Sequence, residues 1–256
     1  MTRIRVTATS ATVVLIVIST ALRVVAAASV GLGLGEAYYF AAARHLALSY
    51  FDQPPAAAFL AWLSLQATGV VSDLVLRAPF ILLFAGTTWL MFLTGRRLFG
   101  AGAGFLAALL LNLTPVFALS TGIFYQPEGP LMFFWLGTVY FLVPLLLGDA
   151  DAVQPLPQWV GAGVMVGLAL LSKYTALFIP GGAFLWALTG RDRRRWLRRR
   201  EPYVALAVAL VCFAPVVIWN ARFHWVSFRW QGARGTAFHG SASARYLLEP
   251  AGVEGA

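Results

Sequence analysis

Five long apolar runs, residues 11–34, 78–95, 103–120, 131–147 and 203–220, dominate this chain. A helix needs roughly 17–25 apolar residues to cross a bilayer. In hydrocarbon every backbone N–H and C=O must be paired within its own segment, so helices are the solution for runs of this length. Composition agrees, with 60% hydrophobic and 11% charged residues against about 25% charged in an ordinary soluble domain. The chain reads as all-α and polytopic, integral to the inner or plasma membrane and in contact with membrane lipid. Arg3 and Arg5 precede the first run, which continues to about Leu34 without a clean cleavage site, so it reads as a retained span.

Charge placement sets the topology. The formal net charge of +9 would suit nucleic acid, yet seven of the nineteen basic residues are arginines packed between Arg191 and Arg200, among apolar runs. Such a cluster marks a cytoplasmic loop facing anionic lipid, and no nucleic-acid partner is expected. If residues 55–71 crossed the membrane, Arg96 and Arg97 would fall outside, so this stretch reads as an amphipathic or re-entrant surface helix started by Pro54-Pro55. The same parity makes residues 159–188 a pair of short helices bending near Ser172-Lys173-Tyr174. The result is seven crossings, a cytoplasmic N-terminus, and outer loops at residues 35–77, 121–130 and beyond Trp219. Cys212 is the single cysteine, which excludes an internal disulfide and a thiolate metal site.

Chemistry concentrates on the outer side. Residues 35–55 carry Glu36 and Asp52 beside Tyr38, Tyr39 and Phe40, in a chain with ten acidic residues. Glu128 sits in the turn Phe-Tyr-Gln-Pro-Glu-Gly-Pro, readable as a site acid or as a solvated loop acid. Asp73 and Arg77 are four apart, and a local ion pair is the simpler reading beside a phosphate-binding role for Arg77. Lys173, the only lysine, lies in an apolar stretch and either snorkels or meets an anion such as a phosphate. Arg44 and His45 follow the tyrosines; His45 titrates in the useful range, although a lone interfacial histidine is commonly structural. No metal-ligand spacing, nucleotide loop or nucleophile triad is present, so neither a metal site nor a bound cofactor is expected, and metal assistance is left open. Together these groups suit transfer from a membrane-borne phosphate donor, with a carboxylate as general base and cations on the leaving phosphate.

The motifs Glu36-Ala-Tyr-Tyr, Arg44-His-Leu-Ala, Tyr50-Phe-Asp-Gln-Pro-Pro, Arg96-Arg-Leu-Phe-Gly, Leu170-Leu-Ser-Lys-Tyr-Thr-Ala and Trp219-Asn-Ala, followed by Trp225-Val-Ser-Phe, run in order along the chain. Together they resemble glycosyltransferase family 39, the dolichyl-phosphate-mannose protein mannosyltransferases and bacterial lipid A aminoarabinose transferases. The resemblance implies a GT-C-like bundle with juxtamembrane helices in the first outer loop. It also implies a polyprenyl-phosphate-linked sugar donor, and inverting transfer to an extracytoplasmic protein, lipid or polysaccharide acceptor. By that resemblance Glu36, Asp52 and Glu128 are the candidate catalytic acids, while Tyr38, Tyr39, Arg44, His45, Arg77 and Lys173 are candidates for substrate and phosphate. Two departures stand out. Gly35 occupies the position where the family has its expected aspartate base, and Gln126-Pro127-Glu128 replaces the family's Thr-Pro-Asp. Family members are commonly much longer, so residues 1–231 read as a GT-C-like domain that need not be whole, and 232–256 as an unassigned tail. The rival readings are a scaffold that has lost its base and a polyprenyl-lipid carrier. Oligomeric state is left open.

Overall fold

The structure, a computed structural model, describes residues 7–149 and 152–236. Arg3, Arg5, Asp151 and the tail beyond residue 236 lie outside the described residues. Among those described, every regular element is helical. The helices are α1 (Ala8–Ser29), α2 (Leu34–Arg44), α3 (Ala56–Thr68), α4 (Asp73–Phe99), α5 (Ala101–Leu113), α6 (Glu128–Leu147), α7 (Leu156–Ser172), α8 (Phe178–Leu188), α9 (Glu201–Arg222) and α10 (Val226–Thr236). A π-helical turn covers Phe117–Thr121, and 3-10 turns cover Tyr174–Leu177 and Arg193–Arg198. Helix α10 runs across residues 231 and 232, where the sequence suggested a domain boundary.

Helices α1, α4, α6 and α9 are long and apolar enough to cross a membrane, while α3, α5, α7 and the segment Tyr174–Leu188 are shorter apolar helices. The apolar run at 103–120 does not form one helix as expected. Pro115 lacks an N–H and disfavours helical geometry at the residue before it, and Thr114 accordingly turns out of the helix at φ −74°, ψ 113°. The first run also divides: α1 ends at Ser29, and α2 starts at Leu34 after an extended link. Residues 159–188 break where the sequence placed the bend, with Lys173 extended at φ −159°, ψ 141°. The stretch after Pro54-Pro55 forms helix α3, ended by Gly69 in the left-handed region at φ 65°.

Neighbouring helices pack in the order α1, α4, α6, α7 and α9, with α5 against α1 and α4. In lipid, helix association rests on close van der Waals packing, which small residues permit. A Cβ built on Gly104 would lie 2.5 Å from the carbonyl oxygen of Phe92, one on Gly163 2.4 Å from that of Ala205, and one on Gly167 2.4 Å from Cys212 Cβ. These contacts bring α4 onto α5 and α7 onto α9 backbone to backbone. At one end of the bundle, α2 and α3 fold down over α4, burying Ala43, Ala57, Ala58, Ala61, Leu76 and Phe80 around Tyr125.

One buried ion pair fixes this cap. Arg77 Nε donates to Glu36 Oε1 at 2.7 Å and Nη2 to Oε2 at 2.6 Å. Its remaining N–H groups reach the carbonyls of Ala27, Val30 and Gly31 at 2.8, 2.6 and 2.9 Å. All five guanidinium donors are therefore used. Glu36 also accepts from the backbone N–H of Tyr125 and of Gly33, both at 2.9 Å, which fills its carboxylate. The local Asp73–Arg77 pair expected from sequence is not what forms: Arg77 sits at 0% exposure and reaches a partner 41 residues away. Burial pushes the Glu36 carboxyl upward, but Arg77 and the two backbone donors outweigh it and hold it below the usual carboxylate range.

Two outcomes follow for the folded protein in detergent. Gly163→Ala should lower the unfolding midpoint by several degrees, about 1–3 kcal/mol of overpacking. Gly181→Ala, where a Cβ meets nothing within 4 Å, should leave it unchanged; equal losses would sink the packing argument. Glu36→Gln should cost about 3–5 kcal/mol by stranding Arg77. A carboxyl with a depressed folded-state pKa contributes stability above its unfolded value of about 4.3, and that contribution fades as pH falls below it. The midpoint should therefore drop on acidification in the natural chain, and less so in Glu36→Gln, as read by thermal melts across pH 3–7.

Candidate functional site

The cap carries the aromatic cluster seen in the sequence. Tyr38 and Tyr39 follow Glu36 on α2, their rings edge to face at 5.3 Å. The Tyr38 hydroxyl donates to Asp52 Oδ1 at 2.8 Å, joining α2 to the loop before α3. Tyr125 is fully buried; its ring lies 5.9 Å from Tyr39 and its hydroxyl donates to the Tyr39 carbonyl at 2.7 Å. Burial, then the nearby Asp52 and Glu128, push the Tyr39 hydroxyl up to about 12. Burial and Asp52 also raise Tyr38. Both phenols are neutral hydrogen-bonding groups at neutral pH, and both Asp52 and Glu128 lie within electrostatic reach of Tyr39.

The second acid group sits where α6 begins. Glu128 is the first residue of α6 and takes Lys173 Nζ on Oε1 at 2.5 Å. Lys173 thus meets an anion, and that anion is a carboxylate of this chain. The pair is partly open, with 34% of the Glu128 side chain and 28% of the Lys173 side chain exposed. Glu128 also lines a groove of about 350 Å³ with Phe117, Thr121, Gln126, Leu131 and Trp135. The groove is mostly apolar, with Glu128 and Gln126 as its main polar side chains.

Helix α10 closes over the Asp52 loop. Ser227 Oγ donates to the Tyr50 carbonyl at 2.8 Å and Gln231 Nε2 to the Asp52 carbonyl at 2.7 Å, while Phe51 and Trp230 bring their rings to 5.2 Å. The turn entering α10 holds His224 and Trp225 at φ 55° and 58°, an uncommon conformation for such residues. Asn220 secures it, accepting from the backbone N–H of Ser227 at 3.1 Å. Two buried polar atoms beside this region have no partner among the described residues, Gln53 Oε1 and the Tyr174 hydroxyl.

The candidates from the sequence thus fall into three settings. Glu36 and Arg77 are closed upon each other within the core of the cap. Asp52 with Tyr38 and Tyr39 lies at the middle of α2, Glu128 with Lys173 at the start of α6, and both acids act on Tyr39. Arg44 and His45 end α2 as exposed residues. At Gly35 a Cβ would meet nothing within 4 Å, so the position is open to a side chain. Sequence reasoning missed Tyr125, Gln231 and the Ser227–Asn220 clasp; only the order of the Trp219-Asn and Trp225-Val-Ser motifs hinted at the last.

Comparison with known proteins places this architecture. Residues 52–219 match the family model described as dolichyl-phosphate-mannose-protein mannosyltransferase. The chain is 31% identical over 189 residues to the lipid A galacturonosyltransferase RgtD of Rhizobium johnstonii, an alignment that takes in 72% of this chain and 37% of that protein. It superposes on ArnT from Cupriavidus metallidurans, solved bound to undecaprenyl phosphate, with a TM-score of 0.66 at 22% identity, covering 85% of this chain and 41% of that one. On the S. cerevisiae protein O-mannosyltransferase Pmt1–Pmt2 complex bound to the sugar donor, the TM-score is 0.61 at 19% identity, over 87% of this chain and 34% of that one. The chain therefore spans well under half the length of these relatives. The structural likenesses establish a GT-C-type helical fold, and the four spanning-length apolar helices together with the family match make it an integral membrane protein. By the family match over most of its length, the chain belongs to the dolichyl-phosphate-mannose-protein mannosyltransferase family.

Proposed function

We propose that this chain carries the donor- and acceptor-handling outer face of a membrane glycosyltransferase that moves a sugar from a polyprenyl-phosphate donor to an extracytoplasmic acceptor. The observation that carries this reading is the gathering of Asp52, the α2 tyrosines and the Glu128–Lys173 pair beside an apolar groove, in a chain of this family. Charge placement supports the orientation. Arg96 and Arg97 end α4, and Arg97 lies over the Tyr140 ring at 5.7 Å, so that basic end sits beside the later half of α6, away from Glu128. With basic ends cytoplasmic, the N-terminus is cytoplasmic and the gathered acids face outside.

In the proposed step, an acceptor hydroxyl attacks the anomeric carbon on the face opposite the phosphate. The new C–O bond forms as the bond from that carbon to the phosphate oxygen breaks. Its electron pair leaves with the polyprenyl phosphate, the hydroxyl proton passes to a carboxylate, and attack from the opposite face inverts the configuration. Glu36, with every acceptor site filled, positions α2 and does not take the proton; Asp52, held by Tyr38, is the base available in this chain. Lys173 exchanges Glu128 for the leaving phosphate, and the groove along Leu131 and Trp135 takes the first isoprene units. Gln53 Oε1 and the Tyr174 hydroxyl offer hydrogen bonds to sugar hydroxyls.

Transfer from a radiolabelled polyprenyl-phosphate sugar pool, in membranes containing this chain, tests the reading. Asp52→Asn should cut transfer by about 10²–10⁴-fold, the usual worth of a positioned general base. Lys173→Met should cut it by about 10²–10³-fold, through loss of charge stabilisation at the leaving group. Gly35→Asp should leave the fold intact and raise transfer, because it adds a carboxylate to open space at the start of α2. Transfer seen only with Gly35→Asp would favour a family member that has lost its base. Full activity in Asp52→Asn would remove Asp52 from the mechanism.

A further inference from the structure

A second concave site lies at the other end of the bundle. Helix α6 begins at Glu128, whereas this groove is lined by Leu142 and Leu146 near its C-terminus, so it stands apart from the outer acids. The other walls are the first half of α7 (Trp159, Gly163), helix α8 (Ala183, Phe184), the Arg193–Arg198 turn (Trp196, Leu197) and the start of α9 (Tyr203, Leu206). It encloses about 320 Å³, and nearly all of its lining is hydrocarbon or aromatic. Its rim is the opposite in character. Residues 191–201 carry seven arginines against Asp192 and Glu201. Glu201 is occupied by Arg199 at 3.1 Å, and Asp192 by Arg195 at 3.3 Å. Arg191, Arg193, Arg194, Arg198 and Arg200 are exposed.

The floor holds an independent sign of a missing polar partner. Trp159 is 2% exposed and packs at 5.5 Å on Trp196, yet its indole Nε1–H has no acceptor among the described residues. A buried donor without a partner costs about 1–3 kcal/mol, so such groups are rare. An apolar slot, an unpaired donor in its lining and a strongly basic rim follow the order of parts in a phospholipid: acyl chain, ester carbonyl, phosphate. The hydrocarbon lining suits the chain, Trp159 would donate to the ester oxygen, and the arginines match a phosphate in shape and charge. Zwitterionic headgroups carry a cation that this rim would repel.

We propose that this end of the bundle binds one anionic phospholipid, with an acyl chain in the groove between α6, α7, α8 and α9 and its phosphate on the Arg191–Arg200 segment. The site takes its lipid from the anionic cytoplasmic leaflet and pins α8 and the arginine turn to the bundle.

The test uses the purified chain in neutral detergent, with thermal melts and native mass spectrometry. Added phosphatidylglycerol should raise the unfolding midpoint by about 5 °C or more and give a one-lipid adduct, while phosphatidylcholine should do neither. Two variants separate the parts, each checked for native helicity and for its midpoint without lipid. Arg191→Gln with Arg198→Gln should more than halve the phosphatidylglycerol shift. Ala183→Phe, which fills the groove, should abolish the shift while sparing the arginines. Equal stabilisation by phosphatidylcholine would overturn the headgroup assignment. Reproduction of the shift by inorganic phosphate alone would overturn the acyl-chain assignment. Retention of the full shift in both variants would overturn the site.

Discussion

The cap that α2 and α3 form depends on the Glu36–Arg77 pair. A guanidinium and a carboxylate, both nearly inaccessible to water, lose several kcal/mol of hydration each on burial. Their attraction offsets this loss only when geometry is good and the leftover donors and acceptors are satisfied. Here the contact is a two-point fork, and the remaining hydrogen bonds go to the carbonyls ending α1 and to backbone N–H groups at Gly33 and Tyr125. The saturated network joins α1, α2, α4 and the approach to α6 at one point. The direction of α2 follows from it, and with that direction the places of Tyr38, Tyr39 and, through Tyr38, Asp52.

A saturated pair and a half-open pair serve different ends. Glu36 cannot accept a proton from a substrate without dismantling its own network. Glu128 and Lys173 each keep about a third of the side chain exposed, so solvent screening makes their attraction modest. An ammonium in that state can trade one oxyanion for another at little cost. The position before Glu36 adds to the contrast: Gly35 is in the first turn of α2, where a helix N-terminus favours negative charge, and yet it carries no side chain.

Much of this frame was legible in the sequence. Runs of apolar residues and the positions of arginines indicated the helical class, a helix after Pro54-Pro55 and the break at Lys173, because length, hydropathy and charge are properties of single segments. Pairings between distant segments were not legible. Arg77 has an acid four residues away in Asp73, which made a local pair the economical reading; the partner chosen lies on another helix because the cap fold brings Glu36 into hydrocarbon-like surroundings, where an unpaired charge is far more costly. Lys173 needed an anion, and nothing local to it identified Glu128. The run at 103–120 misled through its composition, since hydropathy alone does not register the backbone restriction that Pro115 places on Thr114.

The seams between helices and the capped end of the bundle are held by different forces, and this limits where the structure can adapt to a substrate. At the seams, glycines bring backbones into contact at Gly104 and Gly163, where even a methyl group has no room. Such seams have no slack to give. The capped end is fastened instead by directional bonds that can be broken singly: Tyr38 to Asp52, Gln231 to the Asp52 carbonyl, Ser227 to Tyr50, Lys173 to Glu128. The α9–α10 turn stores strain at His224 and Trp225, which local hydrogen bonds must hold in place. A lipid-linked sugar and an acceptor entering between α2, α6 and α10 would meet these separable contacts before any of the packed seams. On the proposed function, accommodation falls to α10 and the Asp52 loop, while α1 and α4 keep the register that the Glu36–Arg77 pair requires.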